Sequence, residues 1–518
     1  MRLFTILLLT LMSLVGRAPK SEGAKILATF TFPGRSQYIF AESYLKALAA
    51  RGHEVTVINA FENKPVPNMR FITIPKIHEH YEEIIGLLSV NGYWKKQMVY
   101  SSMVSIVSKC FFQDEKVQQL MKSDEKFDLL IAEVLLTESV FGLAQHFNAS
   151  LMGFSTYGND YYIDELLGNI SPLSYSPLIT SPRCNPMSFY DRLENHFEFW
   201  IEKAVYWLIH HPKMELEYAK YFPQATKTLN EVLDSWSLIL LGQHFSLSHA
   251  RPYMPNMIEV GGLHISHKPK PLPADINQFI ESSPDGVIYF SLGTNIKSKD
   301  LPVETKDTLL KVFSGLKQRV LWKFEDDQLP NKPDNVLISK WFPQPDILAH
   351  PKVKLFITHG GLLSTIESIY FGKPVLGLPV FFDQFMNVKH AARKGFGLSL
   401  DLLNLKQSEL EQTINTLLTT PSYRQAASTL SSLYHDQPES TMDRAIWWTE
   451  YVLRHKDASH LRAPSRDMNY VQLHSLDTLA VLLAVPFTLL LMLITLTCWL
   501  LRLLVGAKRM RGDKQKIH

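Results

Sequence analysis

The chain has 518 residues, of which 46% are apolar, 20% charged and 11% aromatic, a composition that buries a large core and excludes a disordered protein. Lys plus Arg number 53 against 50 for Asp plus Glu, so the net charge of +3 gives no basis for nucleic-acid binding or an acidic partner. Three cysteines exclude a disulfide scaffold and a cysteine-built zinc site; Cys110 and Cys184 could form one bridge, whereas Cys498 falls in a membrane-like stretch.

Arg2 precedes an apolar run over residues 3–15, followed by Gly16, Ala18 and polar residues to Ala24, the order of a signal peptide over residues 1–23. That run of about 13 residues is shorter than the ~20 a bilayer span needs. Residues 25–31 and 54–58 read as strands flanking a helix over 37–50 that Gly52 ends. Residues 127–132 read as a buried parallel strand, with a helical stretch over 138–147 behind it. Asn148-Ala149-Ser150 is a glycosylation sequon; Asn169-Ile170-Ser171, followed by Pro172, is a weaker acceptor. Residues 157–221 are rich in aromatic side chains and Pro, which suits an apolar ligand cleft and equally suits ordinary helical packing.

Pro271, Pro273 and Pro284 mark a linker over 271–286, between a domain at 24–270 and a second at 287–456. In the second, residues 287–292, 320–324, 335–339, 354–358 and 375–379 read as strands separated by helical stretches. The expected architecture is α/β, two Rossmann-type domains facing a cleft, with ligands at the carboxyl ends of the strands. A juxtamembrane segment, 457–477, leads to an uncharged stretch over 478–501, long enough to span the ~30 Å hydrocarbon core as a helix. The tail, 502–518, carries Arg502, Lys508, Arg509, Arg511, Lys514 and Lys516 against Asp513 alone, which puts it in the cytosol and the bulk of the chain in the lumen. Lys514 and Lys516, fifth and third from the end, resemble the dilysine signal that returns cargo to the endoplasmic reticulum, so a single-pass type I protein of that membrane is expected.

Chemistry-bearing residues gather at the strand ends. Phe290-Ser291-Leu292-Gly293-Thr294 places hydroxyls and a glycine beyond one strand. Thr358-His359-Gly360-Gly361-Leu362-Leu363-Ser364 does the same before a helix holding Glu367. Glycines let backbone approach a ligand, and amides at a helix start favour a phosphate. The longer pattern, from Trp341-Phe342-Pro343-Gln344 through His350, Phe356, the His359 turn, Ser364, Glu367, Gly372, Pro374 and Pro379 to Asp383-Gln384 and Asn387, resembles the donor-binding signature of the UDP-glycosyltransferases. Arg51-Gly52-His53-Glu54-Val55, Val260-Gly261-Gly262-Leu263-His264, the leader and the anchor extend the resemblance, in detail to the membrane-bound insect type.

The resemblance implies a GT-B-like fold and a transfer of a hexosyl group, with inversion, from a UDP-sugar to a small lipophilic acceptor. Trp341 would stack on the uracil and Gln344 would bond near base and ribose. Glu367 would accept from the ribose hydroxyls. Ser291, Thr294, His359 and Ser364 would hold the diphosphate, with Gly361 admitting it close to the backbone, and Asp383 and Gln384 would read the sugar. No metal cluster and no cofactor are expected, the UDP-sugar being a co-substrate. Insect character associates with glucose, while Arg251-Pro252 occurs in glucose and glucuronate users alike and does not decide. Homo- or hetero-oligomers with related transferases are a further open option.

One position departs from the family. A histidine after the first strand serves there as general base, oriented by an Asp at the end of a later strand. Here Phe32-Pro33-Gly34-Arg35-Ser36-Gln37-Tyr38 carries Gln37 in its place, and an amide takes no proton at physiological pH. The partner position holds Glu133, with Glu138 nearby as an alternative; His53 lies at the opposite end of the helix and reads as structural. Three readings stand: Glu133 acts as base, directly or through water; amines are the preferred acceptors; or the protein is a non-catalytic UDP-sugar binder that regulates active relatives.

Overall fold

Short apolar runs, buried on both faces, form the strands of two parallel sheets, the pattern expected where helices cover each side. The computed structural model describes residues 23–80, 93–135, 137–266 and 268–514. Residues 1–22 of the expected signal peptide and 515–518, which include Lys516, lie outside the described residues. The first sheet has seven strands: β1 (Lys25–Phe30), β2 (Glu54–Asn59), β3 (Met69–Thr73), β4 (Leu129–Glu133), β5 (Ser150–Ser155), β6 (Trp236–Leu241) and β7 (Met257–Glu259). Their order is β3-β2-β1-β4-β5-β6-β7, with Leu27 registered on Thr56 to one side and Leu130 on the other. The second has six: β8 (Val287–Ser291), β9 (Arg319–Lys323), β10 (Val336–Ser339), β11 (Val353–Thr358), β12 (Val375–Gly377) and β13 (Gly397–Ser399), in the order β10-β9-β8-β11-β12-β13.

Each sheet reverses its strand order once, at β1/β4 and at β8/β11, and such a switch point opens a crevice at the strands' carboxyl ends. The first core packs Trp236, Phe154 and Tyr44 without solvent exposure; the second packs Trp322, Phe290 and Phe313. Each such side chain contributes roughly 1.5–3 kcal/mol through burial.

The structure differs from the sequence reading in places. The stretch 138–147 is a 3₁₀ turn, Glu138–Phe141, followed by a short helix, Gly142–His146. The Pro-marked stretch 271–286 contains a helix, Ala274–Glu281, whose Ile276 and Ile280 are buried against β8 and β11. The helix Thr441–His455 returns to the first domain, where Ala445 and Val452 join its core. Thr449 and Tyr44 share a 2.5 Å hydroxyl contact there, and Arg51 donates to both oxygens of Glu450 at 3.1 and 3.2 Å. Cys110 and Cys184 are buried, unbridged thiols.

Residues 463–518 form a separate unit. Its helix Leu476–Lys514 includes an apolar stretch, Leu476–Gly506, of 31 residues with mean hydropathy 2.7 and no burial against protein. By length and composition it is a candidate membrane span.

Candidate active site

The carboxyl ends of β1, β4, β5, β8 and β11 meet at one cavity of about 680 Å³ between the two sheets. Every residue expected to bind donor lines it: Ser291 and Thr294 after β8, Trp341 and Gln344 after β10, His359 and Gly361 after β11, then Ser364, Glu367, Asp383 and Gln384. Gln37 lines it from the other wall, whereas Glu133 does not.

Glu367 organises the wall that these expected donor residues form. Its carboxylate accepts from Gln344 Nε2 at 2.5 Å and from His264 Nε2 at 2.8 Å, while Gln344 also donates to Ser364 Oγ at 3.1 Å. Tyr289 donates its hydroxyl to Gln344 Oε1 at 3.2 Å, so the amide is held by three residues of two separate segments, β8 and the helix Leu362–Tyr370. Trp341, in contrast, leaves 57% of its surface exposed at the cavity, a flat apolar face presented to a ligand.

Two glycines frame His359. A Cβ on Gly361 would lie 2.6 Å from His359 Nε2, and one on Gly293, where φ is +77°, 2.5 Å from Cε1. Only glycine on both sides leaves room for the ring. Burial, then the charge of Lys323, pushes the imidazole down to about 4, so it is neutral at pH 7 and supplies a single N–H. Ser291 Oγ accepts from Gly293 N at 3.2 Å, and Thr294 donates to Asn295 Oδ1 at 3.3 Å. Asp383 accepts from Asn387 Nδ2 at 2.7 Å, with burial raising its carboxyl to about 6. Gln384 Oε1 fastens the loop before it, accepting from Val380 N at 2.8 Å and Phe381 N at 3.2 Å.

On the first-domain wall, Gln37 Oε1 accepts from Ser36 Oγ at 2.9 Å. Glu133 lies buried behind it, accepting from Phe32 N at 3.1 Å and Thr156 Oγ1 at 3.2 Å, and burial lifts its carboxyl to about 7. Glu138 is fully buried among the hydroxyls of Tyr162 and Tyr206, each at 2.6 Å, and serves the core, not the cavity. His53 Nδ1 accepts from Ala24 N at 3.2 Å, at the far end of the helix Arg35–Ala50. Asn148 is exposed in a left-handed turn, φ +52°, before β5. Among the described residues no cluster of three or more His, Cys, Asp and Glu is placed to hold a metal ion.

Sequence reasoning did not single out His264, Tyr157 or Asp160, all of which line the cavity. His264 had a signal, since it ends the Val260-Gly261-Gly262-Leu263-His264 run. Tyr157 and Asp160 follow β5, a strand the sequence pattern did not reveal.

Two parallel sheets of Rossmann type with a cleft at their switch points define the GT-B glycosyltransferase fold. A solved UDP-glucosyltransferase from Polygonum tinctorium, crystallised with 3,4-dichloroaniline, superposes with a TM-score of 0.57 at 16% identity, over 83% of this chain and 99% of that one. The chain belongs to the UDP-glucoronosyl and UDP-glucosyl transferase family, whose model matches residues 31–511. It is 34% identical to UDP-glucosyltransferase 2 of Dactylopius coccus over 93% of both chains. It is 32% identical to UDP-glucuronosyltransferase 2B13 of Oryctolagus cuniculus, covering 87% of this chain and 88% of that one.

Proposed function

We propose that this protein transfers a hexosyl group, glucosyl in preference, from a UDP-sugar to small lipophilic acceptors, inverting the anomeric centre. The observation that carries this reading is the convergence of the whole expected donor set on one cavity wall, opposite a wall built from Phe32, Ile39, Tyr100, Met103 and Tyr161. Uracil stacks on Trp341, the ribose hydroxyls donate to Glu367, and the diphosphate lies against Ser291, His359, Ser364 and the amides at the start of the helix Leu362–Tyr370. Asp383 and the Gln384 amide face the sugar. Preference for glucose follows the Dactylopius coccus relative. No cofactor enters the reading.

Gln37 supports a second reading, a non-catalytic UDP-sugar binder that regulates active relatives, because it removes the imidazole base. Membranes from cells making the full chain, incubated with UDP-glucose or UDP-glucuronate and a panel of phenols and amines, separate the two by mass spectrometry. Conjugates are expected from the first reading; donor binding without conjugates supports the second. The apolar helix, the basic tail and the sequon at Asn148 support residence in the endoplasmic reticulum membrane with the large domain lumenal.

A further inference from the structure

The reaction above lacks a base at the expected position, and the cavity holds another group able to take the proton. Of the carboxylates near the acceptor wall, Glu133 is buried behind Phe32 with both oxygens engaged, and Glu198 is paired with Arg183 at 2.5 Å. Glu202 accepts from Thr180 Oγ1 at 3.2 Å. Glu367 and Asp383 belong to the donor wall, held by His264, Gln344 and Asn387. Asp160 remains. It lines the cavity on the loop after β5 and caps the helix Tyr161–Leu167 by accepting from Ile163 N at 3.0 Å. A carboxylate has about four lone-pair sites, so this bond leaves room for a substrate hydroxyl.

Its location suits the reaction. The Tyr157 ring meets Phe382 edge-on, centroids 6.1 Å apart, and Phe382 directly precedes Asp383 on the opposite wall. The loop bearing Asp160 therefore touches the loop assigned to the sugar. Tyr100, from the helix Tyr93–Gln113, lines the same cavity as Asp160 and Gln37. The groups acting on Asp160 are Tyr157, Asp164, Arg251 and Tyr100; burial dominates them and raises its carboxyl to about 6.

Resting on the transferase reading, we propose that Asp160 is the general base for hydroxyl acceptors, in place of the histidine whose position Gln37 occupies. The acceptor oxygen bonds to the anomeric carbon of the UDP-sugar as the bond from that carbon to the diphosphate oxygen breaks. UDP leaves with the electron pair, and the hydroxyl proton moves to an Asp160 oxygen and then to solvent. Tyr157, on the same loop, favours its ionised form.

The test uses the full-length protein in membranes, with UDP-glucose and UDP-glucuronate as donors and 4-methylphenol and aniline as acceptors. The wild type is expected to lose phenol transfer as pH falls through about 6, when Asp160 takes up its proton. Asp160→Asn should lower kcat for the phenol by roughly 10²- to 10⁴-fold and abolish that acid limb, with UDP binding unchanged. Asn caps a helix as well as Asp does, so this variant keeps the local fold. Tyr157→Phe should move the limb to higher pH, and Glu133→Gln should retain it. An Asp160→Asn protein with wild-type rate and limb overturns the proposal while the transferase reading stands, as does a limb lost in Glu133→Gln instead. A wild type that binds donor yet conjugates neither acceptor overturns both.

Discussion

At the scale of single residues, exposed and buried groups around the cleft contribute in opposite ways. Trp341 is more than half exposed at the cavity, so its burial contributes little to the fold. Trp341→Ala should weaken UDP binding by about 1–3 kcal/mol, the worth of one base–aromatic stack, without lowering the unfolding midpoint; calorimetry and a melting curve check the two halves. Glu133 shows the reverse balance. Its folded carboxyl titrates near 7, above the ordinary 4.5, so the stability of its protonated form is fully present below pH 4.5 and is lost as pH rises through 7. Glu133→Gln keeps a neutral acceptor for Phe32 N and should therefore be more stable than wild type by up to about 3 kcal/mol at pH 8, the difference closing toward pH 4.5. Thermal melts at the two pH values measure it. Trp341 and Glu367 were legible in sequence because a long spaced motif fixes them. Asp160 was not, because a lone acid beside tyrosines in an aromatic stretch looks the same whether it lines a cavity or caps a helix.

Among elements, the parallel strands at the switch points were legible, since unbroken apolar runs bounded by turns have few other uses. Five strands were not. β7 and β13 have three residues each, too few for any period, β3 is only partly buried, and β5 carries Gly153 mid-strand. β6, a full apolar run, stayed indistinguishable from a buried helical segment. The helix Phe189–Val205 showed no clean period for another reason: Phe199 and Val205 are buried while Leu193, Phe197 and Trp200 are exposed, so both faces are apolar. The joint between domains depends on one glycine. Gly262 has φ +96°, and a Cβ there would lie 2.0 Å from the hydroxyl of Tyr434, which donates to Gly261 O at 2.7 Å. Gly262→Ala should cost about 2–4 kcal/mol through backbone strain and this clash, read as a lower urea midpoint. Adding Tyr434→Phe should recover only part, because the strained φ remains.

For the whole molecule, the chain places a two-sheet body before an apolar helix and a basic tail, an order that carries the topology proposal. Glycosidase treatment should shift the mobility of the full-length protein, and Asn148→Gln should remove the shift; an unglycosylated wild type would argue against a lumenal body. The family and the cleft were legible from the motif, while the proposed proton acceptor needed the fold, because Gln37 and Asp160 come to line one cavity only when the ends of β1 and β5 are brought together. Transfer itself is the central claim, and mass spectrometry of acceptors incubated with UDP-glucose and membranes containing the full-length protein tests it most directly. A phenol gaining one hexosyl unit in the β configuration is the predicted result. Saturable UDP-glucose binding with no conjugate of any phenol or amine, at any pH from 5 to 9, would contradict it.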